Sequence, residues 1–265
     1  LGLMAVPSAH AVFKPPGLAE PPPRHHCLHV MVKHLDEHLR NDSALADADT
    51  WIFDLDNTLY PSQCDLFAEI SQRMTHFVSE FLGVSKEHAH ATQKAYFRSY
   101  GTTLNGMMQC HGMDPHDFLD FVHDIDYGPV EGSPQLADAL ERLPGRKLIY
   151  TNGTVKHAEQ VIDRLGIHQH FDVIFDIVAA DFVPKPNKTP YEQLIDKEGI
   201  DPKRAAMVED MSKNLAPAAA LGMRTVLVQS HFEWGMGGDA DHVHHVAEDL
   251  AHWLHRAMDH HGPGA

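Results

Sequence analysis

The chain predicts an α/β fold: a parallel sheet covered by helices on both faces, with a small all-helical segment inserted after the first strand. Three observations carry this. Short β-type apolar runs recur along the sequence, amphipathic helical patterns separate them, and residues 64–128 show helical periodicity with no strong β run. Strands that alternate with helices pair in parallel, because each crossover helix returns the chain to the same edge of the sheet.

The β runs come at Thr50–Leu55, Arg146–Tyr150, Val173–Val178, Ala205–Val208 and Arg224–Val228. Ser133-Pro134 supplies an N-cap and a first-turn proline ahead of Leu136, Leu140 and Leu143. Val161, Ile162 and Leu165 line one face of the next helix, which Gly166 ends. Thr189-Pro190 opens another through Leu194 and Ile195, and a short C-terminal helix is expected over 246–258. Within the insert, Leu66, Ile70, Met74, Phe77 and Phe81 make a helical stripe. Ser85 caps a second helix through Ala91, Ala95 and Tyr96, and Asp114-Pro115 a third with Phe118, Phe121, Val122 and Ile125 inward. Residues 1–26 are proline-rich and read as a flexible tail, not a signal peptide. A helical pattern follows from Cys27 to about Ala46; His25, His26, His29, His34 and His38, in or beside it, are read as polar surface, with transition-metal binding as the sharper alternative.

The resulting division is an N-terminal extension 1–48, a core of 49–63 with 129–257, a helical cap 64–128 and a tail 258–265. The length of 265 residues, 43% hydrophobic and 22% charged, suits a globular protein of one or two domains. A formal charge of −16 argues against a nucleic-acid polymer or an acidic membrane as partner. The 23 histidines, partly protonated at pH 7, bring the working charge nearer about −10. No apolar run is long enough to span a bilayer, and three cysteines, Cys27, Cys64 and Cys110, form no CxxC pair. Free thiols and a cytoplasmic monomer or homodimer are therefore expected. The C-terminal histidines 242, 244, 245, 252, 255, 260 and 261 are read as solvated.

In open α/β sheets, ligands sit beyond the carboxyl ends of the strands. Asp54-Leu-Asp56-Asn-Thr58 follows the first strand, Thr151-Asn152-Gly153 the second, Lys185-Pro186 the third by way of a loop, and Glu209-Asp210 the fourth, with Asn214 just beyond. Acids gathered in one pocket repel and would neutralise without a counter-charge. A hard divalent cation such as Mg²⁺, with Lys185 beside it, answers that and suits a phosphoryl group. The spacing of Asp54 and Asp56 lets both turn inward as the chain leaves the sheet. One can attack phosphorus, and the other can exchange a proton with the leaving oxygen.

These four ordered segments resemble the haloacid dehalogenase (HAD) superfamily of phosphohydrolases over about residues 50–232. The resemblance implies a Rossmann-like core with Asp54 as nucleophile and Asp56 as general acid/base. It also implies Mg²⁺ on Asp54, the Asp56 carbonyl and Asp210, with Glu209 reaching the metal through water. Thr151, Asn152 and Lys185 then hold the phosphate, Asn214 orients Lys185, Thr58 supports the first motif, and the helical insert is a mobile cap. Asp56 argues for phosphoryl transfer, because a dehalogenase has no leaving oxygen to protonate. The strings Phe53 to Pro61, Tyr100-Gly101, Asn105-Gly106 to His111-Gly112, and Thr151-Asn152-Gly153 are similar to the pyrimidine 5′-nucleotidase-like branch.

Tyr60, Arg98, Tyr100, Thr102 and Asn105 are the candidates for gripping the leaving group. The function expected is Mg²⁺-dependent hydrolysis of a small phosphate monoester, such as a pyrimidine nucleoside monophosphate. Its rivals are a phosphatase or mutase acting on sugar phosphates or phosphoglycolate, and a non-catalytic binding protein on the same fold.

Overall fold

The structure, a computed structural model, describes residues 43–230 and 240–261. The strands are β1 (Thr50–Phe53), β2 (Arg146–Tyr150), β3 (Val173–Phe175), β4 (Ala205–Glu209), β5 (Arg224–Val228) and β6 (His245–Ala247). They form one sheet in the order β3-β2-β1-β4-β5-β6, and every pairing is parallel. β1 and β4 lie at the centre, buried throughout, and Trp51–Phe53 and Ala205–Val208 are accordingly apolar. The chain leaves β1 toward β2 on one side and reaches β4 on the other. The β1/β4 boundary is therefore the point where the winding reverses and a crevice opens beyond the strand ends.

The helices follow from caps and stripes. α1 (Ser43–Ala46) is a short turn before β1. α2 (Leu66–Leu82), α3 (Lys86–Tyr100), α4 (Thr103–His111) and α5 (Pro115–Val122) fill the segment between β1 and β2. Ser85, Thr102 and Asp114 each accept a backbone N–H at the start of α3, α4 and α5, satisfying donors the helices leave open. Ile70, Val78, Leu104, Met107, Phe118 and Val122 pack into an apolar cluster of their own. The helices α6 (Pro134–Arg142), α7 (Val155–Leu165), α8 (Lys188–Glu198), α9 (Ser212–Leu221) and α10 (Leu250–His261) accompany the sheet. A second cluster, with Ile52, Leu148, Tyr150, Met207 and Leu215, packs against the sheet.

Several expectations change. The third run stops at Phe175, because Asp176 turns away to accept backbone N–H groups from Val155 and Ala179. Phe81 is 47% exposed, at the end of α2 where the stripe runs past its neighbours. α4 is a separate helix that the sequence pattern does not mark, and Ile125 lies beyond the end of α5. α8 begins at Lys188, with Asn187 at the N-cap position. Val246 belongs to edge strand β6, and the last helix starts only at Leu250. The solvated reading fails for part of the C-terminal histidines. His245 is buried in β6, His242 bonds Ser212, and His244 bonds Thr225. Cys64 and Cys110 are free thiols; Cys27, the histidines at 25–38 and most of the 27–46 helix fall outside the described residues. Among the described residues no helix is long and apolar enough to cross a membrane.

Candidate active site

Asp54 and Asp56 leave the end of β1, Thr151 and Asn152 the end of β2, and Glu209 and Asp210 the end of β4. All of them line one cavity of about 600 Å³ together with Lys185 and Asn214. The strands bring these segments together through their parallel register: Phe53 pairs with Ile149 on one side and Val208 on the other.

Lys185 is the electrostatic hinge of the site. Its buried Nζ donates to Asp54 Oδ1 at 2.6 Å, to Glu209 Oε2 at 2.7 Å and to the Tyr150 carbonyl at 2.9 Å. Burial works against its charge, but Asp54 and Glu209 outweigh that and hold the ammonium charged well above its ordinary range. Its loop is pinned where the Lys185 backbone N–H donates to Asn152 Oδ1 at 3.0 Å. Asn152 therefore acts on Lys185 through the backbone. Asn214 does not touch the lysine. Its Nδ2 donates to Glu209 Oε1 at 3.0 Å, so any orienting of Lys185 passes through Glu209. Both Glu209 oxygens are engaged, Oε1 also accepting from the Met211 N–H.

Asp54, Glu209 and Asp210 offer carboxylate oxygens within 4.8 Å of one another, all buried. Burial and the neighbouring Glu209 push Asp54 up to about 7, with Lys185 pulling the other way. Burial, Glu209 and Asp54 hold Asp210 well above the usual carboxylate range. Asp210 Oδ2 is buried with no hydrogen-bond partner. Three acids against one ammonium leave a deficit of positive charge, and an orphaned hard oxygen points the same way. The donor set fits a divalent cation such as Mg²⁺.

Asp56 stands in a different environment. Tyr60 OH donates to its Oδ1 at 2.5 Å, and His157 Nε2 lies 2.8 Å from the same oxygen. Burial alone would raise its pKa, but His157 and Tyr60 overcome this and hold it down to about 2. Thr58 Oγ1 donates to Asp54 Oδ2 at 3.1 Å. Thr151 is not the N-cap of α7; Thr154 is, and Thr151 Oγ1 accepts the Gly153 N–H at 2.9 Å at the cavity wall.

The candidates for leaving-group contact divide. Arg98 and Thr102 line the cavity, with Phe67, Met74, Lys94 and Phe97. Tyr60 is instead committed to Asp56. Tyr100 is turned to the Cys110 thiol, and Asn105 is engaged by the Tyr100 carbonyl and Gln109. None of these last three lines the cavity. Which way a helical side chain points depends on the packing around it, and the motif strings do not encode that. The sequence motifs do not mark His157 as a site residue. The available signal was a histidine on the stripe formed by Ala158, Val161, Ile162 and Leu165, one turn after the Thr151 segment.

A doubly wound parallel sheet with paired acids, a lysine and a further acidic pair at its switch point defines a Rossmann-like α/β protein with a buried acidic site beyond the strand ends. A family model, haloacid dehalogenase-like hydrolase, matches residues 48–222. The chain belongs to this family.

Phosphate metabolism protein 8 of Saccharomyces cerevisiae is similar at 26% identity, over 67% of this chain and 60% of the yeast protein. The chain thus spans less than two thirds of that relative's length. Glyceraldehyde 3-phosphate phosphatase of Methanothermobacter thermautotrophicus is 26% identical over 72% of this chain and 88% of its own. Among solved structures, a HAD phosphatase from Thermococcus onnurineus shares the fold with a TM-score of 0.55 at 19% identity, covering 81% of this chain and 98% of that one.

Proposed function

We propose that this protein is a Mg²⁺-dependent phosphatase that hydrolyses small phosphate monoesters through an aspartyl-phosphate on Asp54. The observation that carries the reading is the convergence of Asp54, Glu209 and Asp210 around a cation-deficient pocket that also contains Lys185 and Asp56. The named activity of the archaeal relative, a phosphatase of a three-carbon sugar phosphate, supports the class of reaction.

Asp54 and Asp210, with the Asp56 backbone carbonyl, would hold Mg²⁺. When bound, the ion supplies positive charge that neutralises the acids and a phosphoryl oxygen. An Asp54 carboxylate oxygen attacks phosphorus as the bond to the ester oxygen breaks, and the departing oxygen takes a proton from Asp56. Water then attacks the phosphorus of the aspartyl-phosphate. Asp56 accepts the water's proton, and phosphate leaves with Asp54 restored. His157 and Tyr60 favour the carboxylate form of Asp56; the negative charge of an arriving phosphate raises its proton affinity, as like charges do. Lys185 and Thr151 hold phosphoryl oxygens, and Asn152 fixes the loop that carries Lys185. The helices of residues 66–122 close the cavity as a cap that excludes water.

For the substrate we propose a pyrimidine nucleoside monophosphate. The cavity walls near Phe67, Met74, Phe97 and Phe118 offer apolar surface to a flat base, with Arg98 and Thr102 as polar partners. A sugar phosphate is the second reading, favoured by the archaeal relative's name. The deciding experiment is a phosphate-release screen over nucleoside monophosphates and sugar phosphates, with Mg²⁺ and after its chelation. Release from at least one class, lost on chelation and restored by Mg²⁺, is expected. Release that is insensitive to chelation refutes the metal assignment, and no release from either class refutes the reading.

A further inference from the structure

We propose that His157 is the positioning residue of Asp56: its Nε2–H and the Tyr60 hydroxyl both donate to Oδ1, which leaves Oδ2 as the oxygen that exchanges the proton with the substrate. This rests on the phosphatase reading and goes beyond it, since nothing in that reading requires a histidine.

The hydrogen-bond geometry sets the argument. An ionised carboxylate oxygen only accepts, so the nitrogen 2.8 Å from Asp56 Oδ1 is the donor. Tyr60 occupies the same oxygen from the other side at 2.5 Å. Among the described residues no donor reaches Oδ2, and Asp56 lines the cavity. The two oxygens of one carboxylate are thus made unequal, one locked to the protein and one turned over to the pocket.

His157 is itself over-determined. It is fully buried, and its backbone N–H is fixed by the Thr154 cap at 3.2 Å. Nδ1 lies 3.0 Å from the Tyr127 hydroxyl. Its ring face stacks on His123 with centroids 4.5 Å apart and planes 11° from parallel. Gly153 makes room, since a Cβ there would sit 3.0 Å from His157 Cδ2. A ring held by its backbone, one edge and one face has a single direction in which to present Nε2–H, and that direction is Asp56. Such support is what keeps a proton-transferring group within the small tolerance that catalysis needs.

The test compares two substrates and three variants. An alkyl phosphate needs its leaving oxygen protonated, whereas p-nitrophenyl phosphate does not. In His157→Gln the amide nitrogen lies as many bonds from Cα as Nε2, so the donor to Asp56 is kept. In His157→Asn the nitrogen lies at the Nδ1 position, so that donor is lost. His157→Asn is expected to lower kcat on the alkyl phosphate by about 100-fold and on p-nitrophenyl phosphate by less than about 5-fold, with KM little changed on either. His157→Gln is expected to restore the ratio of the two rates to within about 3-fold of wild type.

Tyr127→Phe, which keeps the ring and removes the Nδ1 partner together with the hydroxyl's bond to the His123 carbonyl, is expected to give a smaller loss, again confined to the alkyl substrate. It decides the matter if both His157 variants fail to fold. Equal losses on both substrates, or no difference between the Gln and Asn variants, would overturn the positioning role while leaving the phosphatase reading standing. Wild-type protein that turns over neither substrate would overturn both.

Discussion

Asp54 and Asp56 leave the same strand two positions apart, yet they enter opposite halves of the cleft. On one side, Asp54 faces Lys185 among other buried acids, and its proton affinity is pushed up to about 7. On the other, Asp56 faces Tyr60 and His157 and is held down to about 2. Identical side chains thus take different characters from their neighbours. The acidic half is short of positive charge and calls for a cation. The histidine half is satisfied by donors from the protein and leaves one oxygen over. On the proposed reading, a nucleophile and a proton carrier need this separation, because two carboxylates in the same environment would share a proton rather than divide the work.

The strongest way to break the comparison is Asp54→Asn, expected to lower phosphate release by about 10⁴-fold or more, since on the proposed reading the attacking oxygen is that of Asp54. Measurable turnover near the wild-type rate would remove Asp54 from its role. Lys185→Met tests what holds the acidic half together. It leaves Asp54 and Glu209 facing each other in a buried site, and a loss of about 3–5 kcal/mol is expected in urea unfolding of the metal-free protein. An unchanged midpoint would mean that the acids neutralise without the lysine.

Asp56→Asn is expected to slow release from an alkyl phosphate by about 100-fold more than from p-nitrophenyl phosphate, read as the ratio of the two kcat values. Equal losses would deny it the proton. The smallest effect probes the histidine half through His123, whose ring stacks on His157. Burial and the adjacent His157 lower its proton affinity to about 3 from an ordinary 6.5. The folded state therefore favours the neutral ring. Its contribution is complete above pH 6.5 and is lost as pH falls toward 3, because the unfolded chain takes up a proton that the folded chain refuses. His123 is only part-buried, so about 1–2 kcal/mol of acid sensitivity is expected to disappear in His123→Phe, measured as the difference in urea midpoint between pH 7 and pH 4.5.

The two halves were also unequally legible. The acidic half could be read from the chain because each of its groups directly follows an apolar run or sits in a loop at a fixed place in the strand order. Local pattern and parallel topology are then enough to bring Asp54, Lys185, Glu209 and Asp210 to one edge. The family match and the strand order bear out the fold and the superfamily. His157 was harder, because a histidine on an apolar stripe looks like core, and only the packing of α7 against the β1 loop turns it toward Asp56. Tyr100 and Asn105 misled for the converse reason. Both sit in a suggestive string, but Cys110, Gln109 and a helix-end carbonyl claim them first. β6 carries only three residues on a sheet edge, too few for an alternation to declare itself.

The lysine that bridges Asp54 and Glu209 is separated from the former by 131 positions in the chain and from the latter by 24. Closing a loop of that length costs chain entropy, and the parallel pairing of the central strands offsets it by bringing the segments to one end of the sheet. A nascent chain halted before β4 has Asp54 and Lys185 but neither Glu209 nor Asp210. On the phosphatase reading such a chain lacks two of the three clustered acids, so a reactive centre requires β4 and the residue after it to be in place.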